Sequence, residues 1–166
     1  HNVAHSFPTR RSSDLPGTAP ALLPIPRPGS AADNRLAAHV KGGTLKDWGA
    51  LVEMRFSPTC YDASVYAGLA FTARGSGRIY VSPREVSVIP RELGGTCDSD
   101  CYNGHVLKIE LTERWTTYEV RWEQLAQRGY DRPALNPARL HDLAFLVRPE
   151  DTPYDVWLDD VRFLKR

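Results

Sequence analysis

Tyr154-Asp155-Val156-Trp157-Leu158-Asp159-Asp160-Val161-Arg162-Phe163 reads as a last β-strand, with apolar residues in alternation and two adjacent carboxylates among them. Strand side chains alternate between faces, so Trp157, Val161 and Phe163 are expected on one side of the pleat with Asp159 among them. A carboxylate on an apolar face needs a partner, because burying an unpaired charge is prohibitive. That partner is a structural cation or a hydrogen-bond cluster; the plainer alternative has Asp159 capping a loop.

The same period of two runs back through the chain. Val52, Met54 and Phe56 alternate with Leu51, Glu53 and Arg55, and the pattern returns in Leu69, Phe71 and Ala73 and in Ile79 and Val81. It recurs in Leu107, Ile109 and Leu111, in Tyr118, Val120 and Trp122, and in Leu143, Phe145 and Val147. The intervening turn signals are Gly75-Ser76-Gly77, Gly94-Gly95, Asn103-Gly104 and the proline-rich stretch from Arg132 to Pro137. Together they predict an all-β fold: an antiparallel two-sheet β-sandwich of Greek-key or jelly-roll type. Glu123 to Arg128 alone reads as a helical turn.

A chain of 166 residues provides one domain with a single core. Its 21 basic and 20 acidic residues leave a formal charge of +1, which gives no reason to expect a polyanion or an anionic membrane surface and argues against nucleic acid. No apolar run approaches the roughly 20 residues of a membrane helix. Nor does the start show a basic segment followed by an apolar core, so no export signal is expected within the chain.

Residues 35–166 carry the sandwich pattern. Ahead of them, residues 16–34 hold Pro16, Pro20, Pro24, Pro26 and Pro28, which disfavour helix and ladder alike and predict a linker or strapping loop. Within residues 1–15, His5 to Leu15 (HSFPTRRSSDL) resembles the translation of a common sequencing-library adapter. That resemblance implies an artefactual segment standing where a natural one, with its export signal and a first strand, would precede Pro16.

Three blocks occur in order: Cys60-Tyr61-Asp62-Ala63-Ser64-Val65-Tyr66-Ala67-Gly68-Leu69-Ala70-Phe71, Gly94-Gly95-Thr96-Cys97-Asp98-Ser99-Asp100-Cys101-Tyr102, and Trp115-Thr116-Thr117-Tyr118-Glu119-Val120 leading to the Asp159-Asp160 strand. Their succession resembles galactose-binding-like β-sandwich modules, and more narrowly the carbohydrate-binding modules of secreted or surface proteins of bacteria. The resemblance implies a poly- or oligosaccharide as partner, an enzyme domain attached in the natural protein, and secretion or display at the cell surface. It also implies that Asp159 and Asp160 help hold a structural calcium ion against an N-terminal strand, in keeping with a hard cation's need for oxygen ligands. One departure is Thr72, where such modules often carry an aromatic, so a stacking platform is missing if that face holds ligand.

The outward strand positions offer Arg74, Arg78, Tyr80, Ser82, Lys108, Glu110, Glu119, Arg121 and Arg148 as a candidate ligand face. Such a set can hydrogen-bond sugar hydroxyls or clamp a uronate carboxylate, which the arginine fork matches. The plainer reading is a solvated sheet with cross-strand ion pairs. Trp48, Tyr102 and Tyr130, beside loop glycines and asparagines, are a second candidate set, with loop anchoring as the alternative.

Cys97 and Cys101 can close as a disulfide if the backbone turns between them, and oxidation would imply export. So small a loop contributes only about 2 kcal/mol in the loop-closure account, so its use would be to stiffen a surface hairpin. Zinc on Cys97, Cys101 and His105, with Cys60 or His141 to complete the tetrahedron, is the alternative, at a spacing unlike the usual pair. Cys60 is left over, either buried and unpaired or the partner of a cysteine no longer present.

Catalysis is not expected: the chain has no G-x-S-x-G elbow, H-E-x-x-H or P-loop. Asp159 and Asp160 should point to opposite faces and so cannot flank one glycosidic bond, although Glu110 with Glu119 remains open. Two functions follow: a non-catalytic carbohydrate-binding module recognising a glycan on a sheet face or loop edge, and a protein-interaction adaptor domain of a surface or assembly protein. The second resembles the galactose-binding-like domain of respiratory complex I assembly factors.

Overall fold

A strand with one apolar face is stable only when that face is covered, and here strands from two antiparallel sheets cover one another. The computed structural model describes residues 7–10, 21–22, 25–29, 36–45, 49–56, 60–127, 134–151 and 153–166. Its strands are β1 (Phe7–Arg10), β2 (Ala21–Leu22), β3 (Ile25–Pro26), β4 (Leu36–Gly42), β5 (Ala50–Arg55), β6 (Tyr66–Ser76), β7 (Arg78–Glu85), β8 (Leu107–Glu110), β9 (Thr116–Arg121), β10 (Leu140–Val147) and β11 (Tyr154–Lys165). One sheet has the order β2-β1-β5-β10-β7-β8 and the other β3-β4-β11-β6-β9. The predicted all-β sandwich is the fold observed.

The core forms where the inward faces meet. Leu69, Phe71 and Val120 of the five-stranded sheet are sealed against Ile79, Val81 and Phe145 of the six-stranded one. Phe71 meets Phe145 edge-on at 5.1 Å between ring centroids, a geometry that adds to plain area burial. All seven strands expected from alternation are present; β1, β2, β3 and β4 are additions, the last pairing His39 with Trp157 of β11.

The last strand departs from the expected facing. Val156 and Leu158 are its core residues, while Trp157 and Asp159 lie on the outer side, so Trp157 does not share a face with Phe163. The cause is a bulge. Register against β6 shifts between Asp159 and Arg162, and Asp160 takes φ +51° there. One extra residue exchanges inside for outside, after which Phe163 turns inward and stacks on Tyr61 and Tyr66.

Among the described residues, helical structure is confined to single 3-10 turns. One, Trp122–Gln124, overlaps the expected turn, whose end at Arg128 lies outside the described residues. Near the start of the chain, β1 pairs with β5 and β3 with β4, while most of residues 1–34 lies outside the described set.

The element that matters most for a site is the excursion from β7 to β8. Residues 86–106 fold back on themselves through Thr96 N–H to Val86 O (2.8 Å), Cys97 N–H to Ile89 O (2.9 Å) and Tyr102 N–H to Val88 O (2.7 Å). Val88 and Ile89 are buried, and Ser82 on β7 donates its hydroxyl to the His105 carbonyl at 3.0 Å. The outer face of the six-stranded sheet therefore has a wall along one side.

Replacing Phe71 by Ala removes the largest fully buried side chain among the described residues and should cost about 3–5 kcal/mol of unfolding free energy, measured by urea denaturation. A loss under about 1 kcal/mol would mean that the two sheets do not pack through this ring.

Candidate functional site

Beside that wall runs a groove of about 530 Å³. Its floor is the outer face of β5, β10 and β7, because Leu51, Glu53 and Arg55 oppose Leu146, Ala144 and Asp142 across one ladder. Tyr80, Ser82 and Arg84 complete it across the next. Directly opposed residues share a face in an antiparallel pair, which explains why three strands present one continuous surface. The wall is Ile89, Leu93, Tyr102, Asn103, Gly104 and Val106.

The deep end of the floor is a buried charge network. Arg84 donates from Nε to Asp142 Oδ1 (2.5 Å) and from Nη2 to Glu53 Oε2 (2.6 Å), with its side chain only 7% exposed. Arg55 Nε binds the other oxygen of Glu53, and His141 Nδ1 lies 2.7 Å from the other oxygen of Asp142. His141 Nε2 lies 3.0 Å from the Leu93 carbonyl, so both ring nitrogens face acceptor oxygens. Burial opposes ionisation of Glu53, yet Arg55 and Arg84 outweigh it and hold the carboxyl below its ordinary range. Burial likewise works against the charge on Arg84, and Asp142 and Glu53 more than restore it.

The other end is aromatic and apolar. Arg148 lies 4.1 Å above the Tyr80 ring, and burial, with the charge of Asp151 adding to it, raises the Tyr80 phenol above its usual value. Leu51 and Leu146 line the floor between this end and the network. On the rim, Tyr102 is 52% exposed and holds φ +65°, an unfavourable backbone for a bulky residue. Cys97 and Cys101, one residue before it, form the expected disulfide, which removes their thiolates from the zinc alternative. Strain of this kind persists where surrounding structure over-determines it, and it points toward function.

The candidate ligand residues do not share one face, contrary to expectation. Tyr80 and Arg148 line the groove. Lys108 opposes Tyr80, and Glu110 opposes Arg78, at the β8 edge of the same sheet; Arg78 is bound to Asp151 and is not part of the lining. Arg74, Glu119 and Arg121 belong to β6 and β9, on the opposite side of the molecule. Glu110 and Glu119 thus cannot flank one bond. Alternation assigns a residue to the outside of its own sheet, but which sheet is decided by strand pairing. Thr72 is on the far side too, facing Thr117 at 3.3 Å between hydroxyls, so the absence of an aromatic there takes nothing from the groove. Glu53, Arg84 and Asp142 are groove residues absent from the candidate set, and His141, a candidate only for zinc, joins them. Charged residues at outward positions of strongly apolar strands were the available signal.

Of the loop aromatics, Tyr102 joins the groove, while Trp48 and Tyr130 lie outside the described residues. Cys60 is an exposed free thiol rather than a buried one. Asp159 and Asp160 both turn to one cation, Arg27, whose Nη1 lies 2.7 Å and 3.3 Å from their oxygens; the bulge lets neighbours that should diverge converge. A calcium ion, which takes six to eight oxygens, would have to displace this guanidinium. Among the described residues no group of three or more His, Cys, Asp or Glu is placed to hold a metal ion.

The sequence matches no family model, and no curated protein matches it. Solved structures do match. The family 11 carbohydrate-binding module from Clostridium thermocellum in complex with a β-1,3-1,4-mixed-linked tetrasaccharide aligns over 98% of this chain and 97% of that chain, with 14% identity and a TM-score of 0.55. The family 30 carbohydrate-binding module of a cellulosomal cellulase of Clostridium thermocellum aligns over 100% and 86%, with 13% identity and a TM-score of 0.54. The fold is thus the β-sandwich of bacterial carbohydrate-binding modules, as the sequence resemblance implied.

Breaking the network leaves a buried charge uncompensated, so Arg84→Ala should lower stability by about 3–5 kcal/mol in chemical denaturation. Glu53 has a lowered folded pKa, so its stabilising share is complete above the unfolded value of about 4.3 and is lost as pH falls through the lower folded value. Thermal melts from neutral to strongly acidic pH should accordingly fall less steeply in Glu53→Gln than in the wild type. Parallel curves would refute the assignment.

Proposed function

We propose that this chain is a non-catalytic carbohydrate-binding module and that the groove over the six-stranded sheet holds an oligosaccharide or a stretch of polysaccharide. The observation that carries this reading is the groove itself: open, built on a rigid sheet, with apolar floor residues, an exposed tyrosine on its rim and polar side chains between them. Sugars need that mixture, since flat apolar surfaces cover ring C–H groups while fixed polar groups take the hydroxyls. Support comes from the shared fold, because one matching module is in complex with a tetrasaccharide.

Binding without turnover fits the state of the carboxylates. Glu53 and Asp142 have both oxygens engaged by Arg55, Arg84 and His141, which leaves neither available as general acid or nucleophile. The Cys97–Cys101 disulfide supports an exported protein, secreted or held at the cell surface. A matching module comes from a cellulosomal cellulase, which supports an attached enzyme domain in the natural protein.

Electrophoresis through gels containing mixed-linkage β-glucan, xyloglucan, galactomannan or polygalacturonate tests the reading. At least one polysaccharide should retard the protein, and Tyr102→Ala should weaken that binding by at least about tenfold. Retardation by none of them, the behaviour of a protein-binding adaptor, would overturn it, as would a Tyr102→Ala variant of undiminished affinity.

A further inference from the structure

Each oxygen of the groove's two carboxylates already meets a cationic or histidine nitrogen. Glu53 is bound by Arg55 and Arg84, and Asp142 by Arg84 and His141. The groove's cationic groups are less fully engaged. Arg55 engages Glu53 through Nε alone, so its terminal nitrogens are unspent. The carboxylate oxygen nearest Arg148, on Glu150, is 4.0 Å away. Asn103, in the wall, holds a buried side-chain nitrogen without a partner.

A neutral sugar hydroxyl donates as readily as it accepts, and an arginine meets only its accepting side. A carboxylate only accepts, and a guanidinium fork matches it. Charge points the same way. Three guanidiniums face two carboxylates in the groove lining, an excess of one positive charge that falls at the Arg148 end, since Arg55 and Arg84 are paired with Glu53 and Asp142. Net charge is an average over the molecule and does not describe one face.

Arg55 and Arg148 have side chains 37% and 35% exposed, reachable by a ligand yet partly shielded from solvent. Arg55 stands opposite Asp142, and Arg148 follows Val147 at the far end of β10, so about 20 Å of strand separates the two arginines. Only an oligomer with repeated negative charge reaches both. We propose that the groove selects an acidic glycan whose pyranose rings carry uronate carboxylates, with Arg55 and Arg148 receiving them. This rests on the carbohydrate-binding reading above.

Isothermal titration of the intact protein with oligosaccharides of polygalacturonate, alginate and glucuronoxylan, each beside its carboxyl-reduced form, separates the two ideas. At least one acidic oligosaccharide should bind about tenfold tighter than its reduced form. That advantage should shrink as salt is raised, and Arg148→Gln should remove most of it. Equal affinity of acidic and reduced forms overturns the charge selection and leaves glycan binding standing. Preference for a sulfated carrageenan oligosaccharide over every uronate overturns the carboxylate assignment. Binding of none, with mixed-linkage β-glucan included, overturns both readings.

Discussion

A guanidinium cannot leave water without its countercharges, and Arg84 has two of them on neighbouring strands. From β7 it reaches Asp142 on β10 and, beyond it, Glu53 on β5. Taking such an ion into a low-dielectric interior costs several kcal/mol unless geometry and hydrogen bonding compensate. Here every oxygen is met. That neutralised floor is what permits Val88 and Ile89 to settle beside it as an apolar wall, and wall and floor together make the concavity. The network also clamps three strands at the end of the ladder where pairing of β10 with β7 is irregular, between Leu140 and Asp142.

Alternation made the strands legible because their periodicity is local: each needs only one face covered, whichever sheet covers it. Pairing is not local. Arg74 and Arg78 lie four residues apart in sequence, yet the Gly75-Ser76-Gly77 corner sends them to different sheets and opposite sides of the molecule. Parity fails in the same way at Asp160, where one inserted residue moved Trp157 and Asp159 outward against a pattern that placed them beside Phe163. β4 carries no such period, because its run Leu36-Ala37-Ala38-His39-Val40-Lys41-Gly42 does not alternate large apolar with polar residues. Tyr102 was visible as a loop aromatic, but its membership of the groove depends on how residues 86–106 fold back, which no periodicity records.

The two outer faces have acquired different characters from the same rule. On the five-stranded sheet, Trp157 stacks on His39 at 3.9 Å and meets Trp115 edge-on, while Arg27 lies 4.2 Å above Trp115 and binds Asp159. Trp115 in turn donates its indole N–H to the Pro28 carbonyl at 3.0 Å. The segment carrying Arg27 and Pro28 covers that aromatic surface. Across the sandwich, the corresponding cover is the 86–106 excursion, which stands to one side and leaves the sheet open.

The margins of the sheets have a bearing on colloidal behaviour. β8, four residues long, closes one margin with Lys108 and Glu110 in ionic contact. β3 closes another with Pro26, which has no amide hydrogen to offer an incoming chain, and β9 presents Glu119 and Arg121 along its length. Short, charged or proline-bearing margins resist end-to-end polymerisation through backbone pairing. A domain so bounded can be displayed at high local density without its sheets fusing into fibres.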